Sequence, residues 1–291
     1  MSLFEAIFLA IVQGIAEFLP ISSSGHLAIF KYVFNANTDT GMLYDIMLHI
    51  GTLVAVFIVY WKDIVELVKE GFAIIGDFFI NVGRFFGNFF VSTKKEYKKI
   101  VNTPYRRFVM LVIIATIPTG ILGIALGDLV EAAGQTLIVP GVCLLITGVL
   151  LLISDNVKEK TYNEENTSYV KGVIIGIVQG IATFPGISRS GSTITAGLLC
   201  GLERSYAVKF SFILSIPAIL GAAVLEIKDF NPASIATNEL VYYVIGMVVA
   251  AVVGYACIRW LLVLVRNKKF KFFSIYCFIV GAFAIIAHFL I

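Results

Sequence analysis

The sequence predicts an all-α, polytopic integral membrane protein. It is built as an inverted-topology repeat, with two re-entrant helical hairpins and six transmembrane helices. Three observations carry this. Of 291 residues, 59% are hydrophobic and only 14% charged, where soluble domains carry roughly 25% charged residues. Several apolar runs approach or exceed the ~20 residues that a helix needs to cross a bilayer. The chain is also internally duplicated: residues 12–25 read VQGIAEFLPISSSG, residues 178–191 read VQGIATFPGISRSG, and ten of these fourteen positions are identical. The same offset pairs Leu48 with Leu214 and Ile50 with Ile216 without a gap, which marks a repeat architecture.

Residues 3–19 are apolar with a helical pattern and stop at Pro20, which cannot continue a helix without losing a backbone hydrogen bond. The second arm, from residue 22 to about 34, would reach about 20 Å, short of a hydrocarbon core of about 30 Å. Residues 3–34 therefore read as a re-entrant hairpin with its tip at 20–24. Residues 170–202 repeat this pattern, with the break at Pro185 and Gly186. Such breaks at membrane depth are tolerated where they face protein or a watery cavity. Crossings at about 43–61, 107–127 and 136–154 follow the first hairpin, and about 206–226, 240–265 and 271–291 follow the second. Three is odd, so the second repeat is inverted relative to the first. The expected division is repeat 1 at 1–154, a cytoplasmic linker at 155–169 and repeat 2 at 170–291. Repeat 1 carries an insertion at 62–106. Within it, 64–90 mixes Phe-rich apolar groups with Lys69, Glu70, Asp77 and Arg84, the pattern of an amphipathic helix on the inner leaflet.

Loop charge gives an independent orientation. Residues 62–107 hold nine Lys and Arg, and 266–271 hold Arg266, Lys268, Lys269 and Lys271, whereas 128–135 holds Asp128 and Glu131 and no basic residue. The positive-inside rule places the basic segments in the cytoplasm and 128–135 outside. The first hairpin then enters from outside and the second from inside, with their tips meeting near the midplane. No basic n-region precedes the first apolar run, so no cleavable signal peptide is expected. Cys143, Cys200, Cys257 and Cys277 sit in apolar stretches without CxxC spacing and read as small core residues.

The chemistry concentrates at the tips. Gln13 and Glu17 share a helix face at i,i+4, and Ser23 and His26 stand at i,i+3 on the opposing arm. Ser22, Ser23 and Ser24 open one helix; Ser188, Arg189, Ser190, Ser192 and Thr193 open its counterpart. Two helix N-termini aimed at one point make an anion site, and the Arg189 fork suits phosphate oxygens. Glu17 would repel a phosphate unless a divalent cation such as Mg2+, or alternatively Ca2+, binds both. The plainer readings are that Glu17 neutralises Arg189, that the serines are helix caps, and that His26 is structural. His49 reads as structural or as a support to the site. An ionisable residue at membrane depth nonetheless marks function by default.

These motifs resemble those of the bacterial undecaprenyl-pyrophosphate phosphatase family, also known through bacitracin resistance. The first family motif has Glu or Gln, three residues, then Glu, here Gln13 and Glu17, and runs into a Ser-rich turn and His, here 22–26. The second, PGxSRSGxT, is met at 185–193 without a mismatch. Gln13 stands where many members carry Glu, and the basic, Phe-rich 64–104 is an insertion relative to shorter members.

The resemblance implies hydrolysis of undecaprenyl pyrophosphate to undecaprenyl phosphate and inorganic phosphate. The reaction would take place at the outer leaflet of the bacterial cell membrane, recycling the carrier for cell-wall synthesis. By residue match Ser23 is the candidate nucleophile, His26 its base or the leaving-group acid, and Glu17 a metal ligand or orienting group. Arg189 would grip the phosphates with Ser188 and Thr193, while Gln13, Ser22, Ser24 and Ser190 complete the substrate contacts. The expected partners are the lipid substrate and the bilayer, with no nucleic acid; a homodimer is compatible with the sequence. A transporter or flippase of a phosphorylated lipid or small anion is the alternative, since inverted repeats with broken helices are also transporter architecture.

Overall fold

The computed structural model describes residues 1–33, 41–91, 93–157, 161–227 and 237–290. Phe34 at the end of the first hairpin, Lys158, Lys160, Lys228, most of loop 227–238 and Ile291 lie outside these residues. The described residues form twelve helices. The first hairpin is α1 (Leu3–Phe18) and α2 (Ser23–Val33); the second is α8 (Tyr169–Ile181) and α9 (Arg189–Leu199). The long helices are α3 (Gly41–Val59), α5 (Pro104–Ala125), α7 (Ile138–Asn156), α10 (Arg204–Ile227), α11 (Thr237–Arg266) and α12 (Lys271–Leu290). Five of them, α5, α7, α10, α11 and α12, are long and apolar enough to cross a membrane, and α3 with its bent successor makes a sixth. The protein is a multi-pass membrane protein.

Local sequence explains several boundaries. Ser2 and Glu5 form a capping box that starts α1, satisfying two otherwise orphaned N–H groups. Thr103 caps α5 by accepting from Arg106 N, with Pro104 in the first turn, where its missing N–H costs nothing. Asp155, at the end of α7, accepts from Phe270 N at 3.1 Å and Lys271 N at 2.8 Å and so caps α12 from across the fold.

Helix directions follow from which residues meet. Along α1 and α11, Met1 pairs with Glu239, Gly14 faces Val253 and Phe18 meets Gly254, so the two run parallel. Along α3 and α11, the Tyr44 ring packs tilted on Tyr243 and Ala55 faces Gly254; these are parallel too. On the other side, Leu111, Ala115 and Leu122 of α5 meet Gly172, Gly176 and Gly180 of α8 in order. Phe108 packs on Tyr206 and Phe210 of α10. Between these two sets the order reverses. Tyr60, just past α3, packs on Phe212, while Ile46 and His49 share a cavity wall with Ala222 and Ala223. Thus α3 and α10, equivalent in the duplicated sequence, run antiparallel, as do α1 and α8, and the repeat is inverted. Each hairpin packs chiefly on the other copy: α1 on α11, and α8 on α5.

The insertion forms α4 (Trp61–Gly87), bent 89° from α3. Phe72, Phe78, Phe79, Phe85 and Phe86 are exposed along it. Residues 93–103 are strapped across it. Asn81 exchanges two bonds with Lys98, Asn88 does the same with Lys95, and Arg84 donates to Glu96 O. Lys98 and Arg106 both reach Asp77 at 2.7 Å; their hydrogen bonds hold its carboxyl below the usual range. One expectation needs correcting: 128–135 is not a loop throughout, because α6 (Gly127–Gly134) occupies it. Eight residues give no periodic apolar signal long enough to mark a helix.

Candidate active site

The hairpin tips meet. After α1, Leu19 is extended, Pro20 and Ile21 cross over, and Ser22 takes a left-handed conformation with φ 69°. After α8 the turn is made at Gly186, φ 95°. A side chain there is excluded twice over, since a Cβ would also run into the Pro140 carbonyl. Ser22 Oγ accepts from Gly25 N at 3.2 Å and from Gly186 N at 3.1 Å, so one cap tethers both tips. Ser188 Oγ accepts from Gly191 N at 3.1 Å, the same cap in the second copy. Thr147 of α7 braces this turn, donating to Gly186 O at 2.9 Å and accepting from Ser188 N at 3.0 Å.

Glu17 is the centre. Ser23 Oγ donates to its Oε2 at 2.6 Å and Gln13 Nε2 to the same oxygen at 3.0 Å. Arg189 Nη2 donates to its Oε1. The carboxylate is 7% exposed, and His49 Nε2 lies 3.9 Å from Oε2. Arg189 Nη1 is buried without a hydrogen-bond partner. Glu17, Ser22, Ser23, Ser24, Ser188 and Arg189 all line one cavity of about 380 Å³, to which the alanines of α10 give an apolar side. Hydroxyls, two helix starts and a guanidinium around a half-apolar cleft suit a phosphate on a lipid.

Four expected residues lie behind this wall. Gln13 is fully buried under Glu17. Ser190 Oγ stands 3.3 Å from Ser188 Oγ. Thr193 donates back to Arg189 O at 2.8 Å and shares a 2.6 Å bond with Ser211; four residues on, its hydroxyl reaches the preceding turn. His26 does not pair with Ser23. Its Nδ1 lies 2.7 Å from Ser22 O and its Nε2 2.7 Å from Tyr276 OH. The cavity also takes in His49, Thr119 and Gln179. His49 carried a sequence signal, its place in the first full span behind the hairpin, and Gln179 is the repeat counterpart of Gln13; Thr119 carried none.

Among the described residues no three His, Cys, Asp or Glu side chains cluster as a metal site. The donor set around Glu17 is one carboxylate, the Ser23 hydroxyl and Gln13 Oε1, which is buried without a partner. That set fits a hard cation that takes a single carboxylate and fills its remaining positions from phosphate oxygens and water. It does not make a self-sufficient cage.

The motif pair at the tips matches a known family over nearly the whole chain. The family described as bacitracin resistance protein BacA matches residues 6–283. The chain belongs to the BacA family. Among its relatives, the undecaprenyl-diphosphatase of Methanosphaera stadtmanae is 40% identical over 98% of both chains. That of Alkaliphilus metalliredigens is 38% identical, again over 98% of both. The undecaprenyl-diphosphatase of Treponema denticola is 42% identical over 97% of this chain and 96% of its own.

Proposed function

We propose that this BacA-family protein is an undecaprenyl-diphosphatase. It removes the terminal phosphate of undecaprenyl pyrophosphate, leaving undecaprenyl phosphate and inorganic phosphate and so returning the lipid carrier to cell-wall synthesis. The observation that carries this is the convergence of Ser23 and Arg189 on Glu17 where the two tips meet. The relatives named above are called undecaprenyl-diphosphatases.

The chain's own groups divide the work. Arg189, with Nη1 free of protein partners, binds the terminal phosphate. The N-termini of α2 and α9 add partial positive charge. Ser23 Oγ attacks the terminal phosphorus; the bond from that phosphorus to the bridging oxygen breaks, and undecaprenyl phosphate leaves. The serine proton passes to Glu17, the group that its hydroxyl already faces at 2.6 Å. This assigns to Glu17 the base role that the family resemblance had implied for His26, there given as base or leaving-group acid. Water then attacks the phosphoserine, releasing phosphate and restoring the hydroxyl. A weak nucleophile made competent by an adjacent base, and held in line, is what phosphoryl transfer requires. A divalent cation held by Glu17 would neutralise phosphate charge.

The site faces the outer side of the cell membrane in this reading. The support is positional. The cavity includes Val130 of α6, Ile46 near the start of α3 and Ala223 near the end of α10. The basic strap and the Asp63–Lys209 pair lie at the opposite ends of those helices. With basic segments inside, α4 rests its phenylalanines on the inner leaflet and the cavity opens away from it.

Phosphate release by purified protein in detergent tests the function. An undecaprenyl-diphosphatase releases phosphate there; a transporter of the same architecture is silent without two compartments, and silence would overturn the reading.

A further inference from the structure

We propose that Tyr276 is a positioning residue for Ser23, acting through His26 and the backbone of Ser22. The inference rests on Ser23 being the nucleophile. Ser22 is one of two non-glycine residues with positive φ among the described residues, the other being Lys268. A left-handed L-residue is strained and persists where its surroundings over-determine it. Capping does not demand it. Ser188 makes the same cap in the second copy with φ −69° and ψ 115°.

Besides the neighbouring differences at 19, 20 and 23, the copies differ four residues on. Position 26 is His, whereas its counterpart at 192 is Ser. His26 N and Nδ1 both reach the Ser22 carbonyl, at 3.2 and 2.7 Å. A carbonyl only accepts, so the ring proton sits on Nδ1. Nε2 of the neutral ring is then an acceptor, and the Tyr276 hydroxyl donates to it at 2.7 Å. The two rings are parallel to 4° with centroids 5.5 Å apart. His26 is buried, and both of its nitrogens are used. The relay from Tyr276 through His26 fixes the Ser22 carbonyl, while Gly25 N and Gly186 N fix its Oγ. Ser23 follows directly, so the turn at Ser22 sets where its hydroxyl points, and it points at Glu17.

The test is steady-state kinetics on purified variants with undecaprenyl pyrophosphate, alongside thermal unfolding. Tyr276→Phe keeps the ring and loses only the donor. It should lower kcat by about tenfold or more with KM and melting temperature close to wild type. His26→Asn places an amide N–H near the Nδ1 position but nothing at Nε2. It should recover at least about tenfold over His26→Ala, and adding Tyr276→Phe to it should cost nothing further. Wild-type kcat in Tyr276→Phe, or a folded His26→Asn as inactive as His26→Ala, overturns the inference while leaving an inactive Ser23→Ala to support the nucleophile. Normal turnover by Ser23→Ala would overturn the nucleophile and the inference together.

Discussion

Glu17 and Arg189 lie 172 residues apart in sequence and are hydrogen-bonded to each other across the two hairpin tips. They are two of the four positions at which the duplicated motifs differ: Glu17 answers Thr183, and Arg189 answers Ser23. The candidate site is thus centred on places where the copies have diverged.

Arg189 holds Glu17 with one nitrogen, and Nη1 is buried without a hydrogen-bond partner; the proposed function gives that nitrogen to the terminal phosphate. Lysine preserves the charge but offers a single nitrogen. Arg189→Lys should reduce kcat/KM by about 100-fold, or ~2.7 kcal/mol, in protein that still folds and inserts. Wild-type turnover would reduce Arg189 to a counter-charge for Glu17.

Ser23→Ala removes the attacking oxygen. Turnover should fall by at least about three orders of magnitude, ~4 kcal/mol, and no phosphoenzyme should be trapped after a rapid quench. Ser24→Ala should cost far less, about 1 kcal/mol, as a lost secondary contact. Ser22→Ala should fall between them, because its hydroxyl joins the tips through Gly186 N. A Ser23→Ala enzyme with a tenth of normal activity would place the attack on water instead.

A metal requirement is the expectation for a lone carboxylate at a site proposed to bind phosphate. Chelator should abolish phosphate release and added Mg2+ restore it, and Glu17→Gln should raise the concentration needed or abolish activity. Full activity in excess chelator would leave Glu17 as the base for Ser23 and nothing more.

Gly186→Ala tests the turn itself. Its φ of 95° and the Pro140 carbonyl against its would-be Cβ combine strain and overpacking, together about 2–5 kcal/mol. The melting temperature in detergent should drop clearly; an unchanged value would mean that the tip relaxes freely.

Orientation can be read by labelling. Cysteines introduced at Glu131 in α6 and at Lys95 in the strap should react with an impermeant reagent from opposite sides of the membrane. Reaction of both from outside would reject the placement of the cavity.

Much of this was legible in the residues. The offset between the two copies located both hairpins, and the charge in 62–107 marked the insertion, because repeats and loop charge are properties of the chain alone. Glu17, Ser23 and Arg189 stood out in the sequence because charged and nucleophilic groups at a membrane break have few structural uses, and the structure brings the three into contact. His26 was misassigned as partner to Ser23. Helical spacing puts them near each other, but the left-handed Ser22 turns the ring toward its own carbonyl. Tyr276 and Thr147 gave no signal, since each acts through a contact with a tip remote in sequence. α6 was hidden by its shortness.

The crossed packing, α1 against α11 and α8 against α5, bears on the history of the chain. A single copy would have lacked the helix on which the longer arm of its hairpin chiefly rests. It would have needed a second copy inserted upside down, and in that pair both tips were necessarily the same. Separate mutation of each half, giving Glu17 and Ser23 to one and Arg189 to the other, became available only once the two were joined in one polypeptide.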